Sequence, residues 1–341
     1  MNFILKGKTL KELEVFIIDQ GYPKYRARQL YTWLYKKGIS DIQSMSNLSK
    51  DLQSFLNQHT VLNTLSLFKK TEFDYTTKFL FQTKNNQYIE SVSMIENDRH
   101  TVCLSSQVGC NVDCDFCATG KMGFIQNLSS GEIVDQLIFI KNNINQPITN
   151  IVFMGMGEPF LNYTNVINAS NLMNDKFGLN FSARRITIST AGIVPKINQF
   201  INDKIRYNLA ISLNATDDKT RDKLMPINKK WPISDLISLA KKYNQNNRLK
   251  ITFEYVLIDS VNDSIEDAKT LAKLLRNSNC KLNIIPFNSI GNQYKRPSTD
   301  KIERFLKTLY NQHQGFKILV RWSKGVEINA GCGQLATKEM S

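Results

Sequence analysis

The sequence lacks the features of a membrane or secreted protein. No stretch approaches the roughly eighteen uncharged apolar residues that a membrane-spanning helix needs. The first residues, Met1 to Gly7, carry lysines but neither the apolar stretch nor the small-residue cleavage site of a secretory signal. We therefore expect no membrane partner and a cytoplasmic protein, in which cysteines stay reduced.

Acidic residues are scarce relative to basic ones. The 341 residues include 44 lysines and arginines against 30 aspartates and glutamates, which gives a formal net charge of +14. Such an excess favours a polyanionic partner such as nucleic acid. It would equally arise from compositional bias in the genome, with the lysines forming an ordinary solvated surface. Charge alone does not decide between these two interpretations.

Histidine is almost absent around the clustered cysteines, which bears on the metal they could bind. Cys110, Cys114 and Cys117 have the spacing C-x3-C-x2-C, and His100 is the one histidine near them. A structural zinc site needs four Cys or His ligands, and the sequence has no second C-x2-C pair. Three thiolates on a short loop can instead hold three irons of a four-iron cluster and leave the fourth iron open. The spacing favours an iron–sulfur cluster over zinc.

Residues 1–63 predict a small helical domain. Thr9 and Glu12 form a capping box for the first of three helices, Pro23 opens the second and Ser49 begins the third. Basic and aromatic residues alternate in this domain, which suits RNA contact and stacking. The alternative is that the aromatic residues are core and the charges an outer face. The residues concerned are Arg26, Arg28, Lys36, Lys37, Tyr22, Tyr25, Tyr31 and Trp33.

Residues 64–98 predict a β-rich connecting segment, and residues 99–341 a larger α/β domain. In the latter, β-branched apolar runs alternate with amphipathic helical segments, which is typical of a parallel sheet. About six such units are too few for a closed eightfold barrel, so an open sheet or a partial barrel is expected. Polar or glycine-rich loops follow the strands, where such folds build active sites. The predicted strands are Val102–Leu104, Ile151–Met154, Ile186–Ser189, Leu209–Leu213, Ile251–Leu257, Leu282–Phe287 and a final Lys317–Trp322.

Several segments together resemble one enzyme family across nearly the whole chain. C-x3-C-x2-C with Phe116 before the last cysteine resembles the radical S-adenosylmethionine superfamily. Within it, the sequence is similar to the RlmN/Cfr family of RNA adenine methyltransferases. The segments that carry this resemblance are Cys103–Cys110 (CLSSQVGC), Cys117–Gly120 (CATG), Phe153–Pro159 (FMGMGEP), Leu224–Asn228 (LMPIN) and Cys332–Leu335 (CGQL).

The resemblance implies a fold and two cofactors. The fold would be a partial (βα)6-type radical-SAM barrel with an N-terminal helical accessory domain that contacts RNA. Cys110, Cys114 and Cys117 would ligate a [4Fe-4S] cluster whose free iron binds S-adenosylmethionine, two molecules of which are used per turnover. The family often has His where this chain has Asn214, so a backbone role is expected there. The residues that would bind S-adenosylmethionine are Gly157, Glu158, Ser189, Ser212, Leu213, Asn214 and Asn288.

The resemblance also implies roles for three residues outside the cluster motif. Cys332 would accept a methyl group and carry it into a covalent adduct with adenine, and Cys103 would resolve that adduct by forming a disulfide. Glu90 would be the general base that removes the ring proton. By residue type alone, each of these cysteines would be a buried inert thiol and Glu90 a surface carboxylate on an edge strand. Cys280 has no match in the family and is predicted to be structural.

Pro159 resembles the RlmN branch, which methylates carbon 2 of adenine, more than the Cfr branch, which methylates carbon 8 and confers antibiotic resistance. The substrate would be an adenine in the peptidyl-transferase region of 23S rRNA and, in some members, one beside the anticodon of tRNA. An electron donor such as flavodoxin or ferredoxin is expected, with the chain acting as a monomer. The alternative from another class is a non-catalytic RNA-binding protein stabilised by a metal cluster.

Overall fold

The computed structural model describes residues 2–246, 250–313 and 315–337. The N-terminal part contains three helices and a short parallel strand pair, β1 (Phe3–Ile4) with β2 (Thr60–Val61). The predicted capping box at Thr9 and Glu12 is present. The second predicted helix runs as an α-helix and then a π-helical stretch, Thr32–Lys37, that the 3.6-residue pattern did not predict. The helices are α1 (Leu10–Asp19), α2 (Tyr25–Tyr31) and α3 (Lys50–His59).

One ten-stranded sheet organises the rest of the chain. Its strand order is β14-β13-β12-β11-β10-β9-β6-β5-β4-β3, and β6 and β9 to β14 are parallel. Among the described residues the two edge strands do not pair with each other, so the parallel part is the partial barrel that was predicted. The strands are β3 (Leu65–Phe73), β4 (Thr76–Thr83), β5 (Tyr88–Glu96), β6 (Arg99–Cys103), β9 (Asn150–Phe153), β10 (Ile186–Thr190), β11 (Asn208–Ser212), β12 (Thr252–Leu257), β13 (Lys281–Pro286) and β14 (Lys317–Val320).

Helices connect the parallel strands, and a separate antiparallel pair lies beside them. This pair is β7 (Gln107–Gly109) with β8 (Phe124–Asn127), and it carries the cysteine cluster between its strands. The predicted capping box at Ser129 and Glu132 begins the first long helix of this part. The helices are α4 (Ala118–Lys121), α5 (Ser130–Asn143), α6 (Tyr163–Asn174), α7 (Val194–Asn202), α8 (Asp218–Leu224), α9 (Ile233–Asn246), α10 (Ile265–Leu274) and α11 (Thr299–Gln312).

The connecting segment is part of the main sheet. Strands β3 to β5 form an antiparallel meander that pairs with β6 through β5, with Val92 opposite Cys103. One face of the meander packs on α5, where Phe79 and Phe81 meet Phe139 edge-on. The other face continues the inner face of the partial barrel. None of the described helices is long and apolar enough to cross a membrane.

A buried ion pair joins the N-terminal segment to the barrel. The carboxylate of Asp135 on α5 accepts a hydrogen bond from the ammonium of Lys6, and both side chains are less than 10% exposed. Its second oxygen accepts from the backbone N–H groups of Thr64 and Leu65 at 2.7 and 3.2 Å. Asp135 therefore binds both ends of the N-terminal domain to the first barrel helix.

We predict that Asp135→Asn lowers the free energy of unfolding by about 3 kcal/mol, because it leaves the Lys6 ammonium buried without a counter-charge. The double variant Lys6→Met/Asp135→Asn should recover part of this loss. Urea unfolding followed by circular dichroism measures both values. Glu266→Gln, which breaks an exposed ion pair with Lys269 on α10, is the matched control and should cost about 0.5 kcal/mol or less. An Asp135→Asn value as small as the control value would contradict the prediction.

Candidate active site

The cysteine loop between β7 and β8 is held by backbone and side-chain hydrogen bonds. The N–H of Cys110 donates to the carbonyl of Gly123 at 2.9 Å, and that of Cys117 donates to the carbonyl of Cys114 at 3.1 Å. Asp115 accepts from the side chains of Lys121 and Tyr294 at 2.5 and 2.7 Å. These contacts fix the loop at the carboxyl edge of the parallel strands, next to a cavity.

This inner cavity, of about 160 Å³, brings most of the predicted site residues together. It is lined by the three clustered cysteines and by residues from the carboxyl ends of five strands. Of the residues predicted to bind S-adenosylmethionine, Leu213 is the exception, since its side chain is fully buried in the hydrophobic core. The predicted residues that line the cavity are Cys110, Cys114, Cys117, Gly157, Glu158, Ser189, Ser212, Asn214, Asn288 and Cys332.

Glu158 holds two loops at the edge of this cavity. Its carboxylate oxygens accept from the backbone N–H groups of Phe160 at 2.9 Å and Ala191 at 2.7 Å. Burial raises the pKa of Glu158 to about 7, against the opposing effect of these hydrogen bonds. The preceding Gly157 has φ of +95°, and a Cβ there would lie 2.5 Å from the side chain of Gln107. The turn therefore requires glycine.

Asn214 uses its side chain inside the protein. The side-chain oxygen accepts from the N–H of Val256 at 2.9 Å, and the side-chain nitrogen lies 3.2 Å from the sulfur of Met225. Its φ of +57° is in the left-handed region, which Asn tolerates better than most residues. The side chain thus orders the loop after β11, and the backbone carbonyl of Asn214 accepts from the side-chain nitrogen of Asn262 at 2.7 Å, so a ligand would meet the backbone N–H.

Arg221, which no sequence motif predicted as a site residue, holds the loops after β10 and β11 together. It is fully buried, and its guanidinium donates to the carbonyls of Ala191, Ser212 and Leu213 at 2.8 to 2.9 Å. It also donates to the side chain of Asn228 at 2.9 Å. The last residue of the LMPIN segment, Asn228, therefore orients Arg221. An arginine one helical turn before that segment is the sequence feature that could have pointed to this role.

The donor set of the inner cavity fits a cluster and an amino-acid ligand. In a four-iron cluster each thiolate binds a different iron, so the three sulfurs need not converge on one point. Consistently, no three Cys, His, Asp or Glu side chains in the described part of the chain surround a single metal ion. The side-chain oxygen of Asn288 is buried there and has no hydrogen-bond partner among the described residues. It is an acceptor suited to an N–H or O–H of a bound ligand.

The C-terminal segment, residues 331–337, folds back over the cysteine loop. The carbonyl of Gly333 accepts from the N–H of Ala118 at 2.8 Å, and the carbonyl of Cys332 accepts from the side chain of Asn288 at 3.1 Å. A Cβ on Gly331 would lie 2.8 Å from the side-chain nitrogen of Asn288. Because Gly331 has no side chain, the segment can pass close to Asn288, and Cys332 is held against the inner cavity.

Cys103 and Cys332 share a second, very small cavity. This cysteine cavity, of about 20 Å³, is also lined by Met94, Met154 and Arg321. Cys103 ends β6 and is buried, whereas Cys332 is half-buried. Burial, with a smaller contribution from the neighbouring Cys332, raises the pKa of Cys103 to about 12. The fold thus brings Cys103 and Cys332 together, the two cysteines that the resemblance pairs. Cys280 is buried elsewhere, in the hydrophobic core.

Glu90 lies on the other side of the C-terminal segment, in an outer cavity of about 490 Å³. It is buried on β5, with one carboxylate oxygen 2.8 Å from the ammonium of Lys78 and the other accepting from the N–H of Ala336 at 3.0 Å. Lys69 and Tyr88 line the same cavity. Glu90 is therefore not the exposed edge carboxylate of the alternative interpretation.

Glu254, on β12 in the inner cavity, gives a pH-dependent prediction. Burial raises its pKa from 4.5 to about 7, so the folded protein binds this proton more tightly than the unfolded chain. Stability is then lost as the pH rises from about 4.5 to about 7. Glu254→Gln keeps an acceptor for Asn283, which now donates to Glu254 at 2.7 Å. We expect the variant to be more stable than wild type by up to about 3 kcal/mol at pH 8 and similar to it near pH 4.5.

Thermal unfolding of both proteins at several pH values measures this difference. Glu266→Gln, at an exposed position of α10, is the control and should show no such trend. A stability difference that does not change with pH would contradict the assigned environment of Glu254.

Comparisons with known proteins identify the family. Residues 104–275 match the family model of the radical SAM superfamily, and residues 4–62 match that of a ribosomal RNA large subunit methyltransferase N-terminal domain. The chain is 44% identical to a dual-specificity RNA methyltransferase RlmN from Geobacter sulfurreducens, over 98% of this chain and 92% of the relative. It is 41% identical to the same enzyme from Geotalea uraniireducens, over 97% and 96%.

A solved structure extends the match to the fold. The crystal structure of a radical SAM methyltransferase from Sphaerobacter thermophilus is 42% identical and superposes with a TM-score of 0.94, over 98% of this chain and 99% of that one. Membership of the superfamily implies a [4Fe-4S] cluster and S-adenosylmethionine as cofactors. The resemblance drawn from the sequence motifs is confirmed: the chain belongs to the RlmN family, within the radical S-adenosylmethionine superfamily.

Proposed function

We propose that this protein methylates carbon 2 of an adenine in RNA, with 23S rRNA and tRNA as substrates. The relatives named RlmN are described as dual-specificity RNA methyltransferases, which supports RNA as the substrate class. The position of Cys332 carries the proposal. This residue lines both the inner cavity, with the three clustered cysteines, and the cysteine cavity, with Cys103. A group on its sulfur lies where a methyl donor and a resolving thiol are both in reach.

The residues of the inner cavity would hold the cofactors. We assign the cluster to Cys110, Cys114 and Cys117. When bound, the cluster and S-adenosylmethionine supply a methyl group from one molecule and a carbon radical from a second, so two molecules are used per turnover. Glu158 and the unpartnered oxygen of Asn288 are suited to the ammonium and hydroxyl groups of S-adenosylmethionine. The remaining contacts would come from Gly157, Ser189, Ser212, Leu213 and Asn214, with Leu213 limited to its backbone.

Three side chains would carry the covalent steps. The sulfur of Cys332 would accept a methyl group, and the carbon of this group would join the adenine ring after one of its hydrogen atoms has passed to the cofactor-derived radical. The electron left on the adduct would return to the oxidised cluster. Glu90 removes the ring proton, after exchanging its present contacts with Lys78 and Ala336 for the adenine edge. The thiolate of Cys103 then attacks the sulfur of Cys332, so that a disulfide forms and methyladenine leaves. Cys332 shares one cavity with the cluster cysteines and another with Cys103, which favours the enzyme over a non-catalytic, cluster-stabilised RNA-binding protein.

The outer cavity is suited to the nucleotide that is modified. Its two lysines, Lys69 and Lys78, offer positive charge to phosphates, and Tyr88 offers an aromatic face for stacking. Phe68, which is half exposed, meets the ring of Tyr88 edge-on. We propose that the basic N-terminal domain, residues 1–63, contacts the RNA farther from the modified base.

Pro159 supports carbon 2 over the carbon 8 chemistry of the Cfr-type alternative. It opens a short 3-10 helix directly after Glu158, beside the inner cavity. An electron donor such as flavodoxin or ferredoxin, a monomeric state and a cytoplasmic location complete the proposal.

Substituting the two cysteines separates the steps that they serve. In Cys332→Ala neither methylated protein nor methylated RNA should form, because the methyl acceptor is missing. In Cys103→Ala methyl acceptance and radical addition remain, so protein cross-linked to RNA should accumulate as a ribonuclease-sensitive mass shift. Mass spectrometry of digested RNA distinguishes 2-methyladenosine from 8-methyladenosine in the wild-type reaction.

Cys280→Ala is the matched control for the cysteine experiment, since Cys280 is a buried free cysteine that lies outside the three cavities. It should keep wild-type turnover. An active Cys332→Ala variant would overturn the mechanism, and an active Cys103→Ala variant would remove the role of Cys103. 8-Methyladenosine as the product would replace the proposed reaction by the Cfr-type one.

The cluster assignment predicts about four irons per chain in protein purified without oxygen. Cys110→Ala, Cys114→Ala and Cys117→Ala should each lose most of this iron and the brown colour, because three thiolates are the full protein ligand set. Cys280→Ala should retain both. Iron analysis and visible absorption measure the outcome. One zinc per chain, with no iron after reconstitution, would contradict the assignment.

A further inference from the structure

Arg321 lies at the carboxyl end of the last parallel strand, the edge at which the other site residues are found. Its N–H donates to the carbonyl of Ile284 at 2.9 Å, which extends the pairing of β14 with β13 by one residue. The half-buried side chain lines the cysteine cavity together with Cys103 and Cys332. A positive charge thus faces the same 20 Å³ space as the two thiols.

The hydrogen-bond partners of this guanidinium are unusual. Its two terminal nitrogens approach the sulfurs of Met154 at 3.8 Å and Met94 at 3.9 Å. A thioether is a weak acceptor, whereas a guanidinium ordinarily donates to carboxylates or carbonyls. Arg221 does so with three carbonyls. Across residues 2–246, 250–313 and 315–337, no carboxylate lies within ion-pair distance of Arg321, so this charge is held in place without being neutralised by contact.

The charges around Arg321 come from four neighbouring elements. Cys332 on the C-terminal segment, Glu254 on β12, Cys103 on β6 and Glu96 on β5 all raise the pKa of Arg321, with Cys332 the largest cause. Arg99 on β6 is the nearby like charge, and Arg321 contributes to the lowering of its pKa. Lys324 lines the same cavity. Arg321 in turn opposes the effect of burial on the pKa of Cys103.

We propose that Arg321 is a positioning residue whose guanidinium stabilises the thiolate forms of Cys332 and Cys103, a role that rests on the proposed function. In methyl acceptance the electron pair of the Cys332 thiolate forms the sulfur–carbon bond. The bond from that carbon to the sulfonium sulfur breaks, and its pair stays on S-adenosylhomocysteine. The thiol proton has already passed to solvent.

The second step uses the same charge. The electron pair of the Cys103 thiolate forms the disulfide with Cys332, and the bond from the Cys332 sulfur to the methylene carbon breaks. Its pair remains on that carbon, which takes up a proton and becomes the methyl group of the product. Two thiolates therefore form in turn in one enclosed space. A guanidinium flanked by thioethers can serve both, because no carboxylate of the described residues pairs with it.

The test compares Arg321→Met, Arg321→Gln and Arg321→Lys in the anaerobic holoenzyme, with Arg304→Met on the exposed face of α11 as control. Iodoacetamide alkylation of the half-buried Cys332, measured by mass spectrometry across pH 6 to 10, reports its thiolate fraction without RNA or S-adenosylmethionine. Removing the charge of Arg321 should slow alkylation of Cys332 near pH 7 about tenfold. Lys should fall between Arg and Gln, and Arg304→Met should match wild type.

Formation of methylated Cys332 from labelled S-adenosylmethionine, in one turnover, should slow in the same order. Equal alkylation profiles for the Lys and Gln variants, or a wild-type profile for either neutral variant with full iron content, would overturn the role of Arg321. A different result would contradict the proposed function itself: a wild-type enzyme with a complete cluster that methylates no RNA.

Discussion

Hydrogen bonds that the backbone of the C-terminal segment makes to the rest of the site are the constraint on which the arrangement depends. Gly333 binds Ala118 beside the cluster cysteines, Cys332 binds Asn288 after β13, and Ala336 binds Glu90 on β5. Each contact joins parts of the chain that are far apart in sequence. Without them the inner, cysteine and outer cavities would lose their common wall, and Cys332 would have no defined position between them.

The sheet explains why these groups meet at one edge. Seven parallel strands direct their carboxyl ends to the same side, so the loops that follow them converge. The meander adds a second effect through strand periodicity, since Val92 pairs with Cys103 and Glu90 lies two residues away on the same face. The proposed base and the proposed resolving thiol therefore share the inner face of one continuous sheet.

Arg221 and Arg321 have different roles because their guanidinium groups have different hydrogen-bond partners. Arg221 is fully buried and donates to three carbonyls in the loops after β10 and β11, so its guanidinium holds the cavity wall. Arg321 contacts two thioethers and leaves its charge available to the cysteine cavity. A similar contrast separates Asp135, whose pair with Lys6 lies in the core, from Glu90, whose pair with Lys78 lines a cavity of about 490 Å³.

The sequence by itself determined the cysteine spacing, the capping boxes, the order of strands and helices and the family, because these depend on local pattern and on short motifs. Only the tertiary structure decided that Leu213 faces the core, that Arg221 and Arg321 flank the site, and that Lys6 meets Asp135. It also decided that Glu90 is buried rather than exposed. These features arise from pairings between distant segments, and a one-residue change of strand register would reverse which side chains face the cavity.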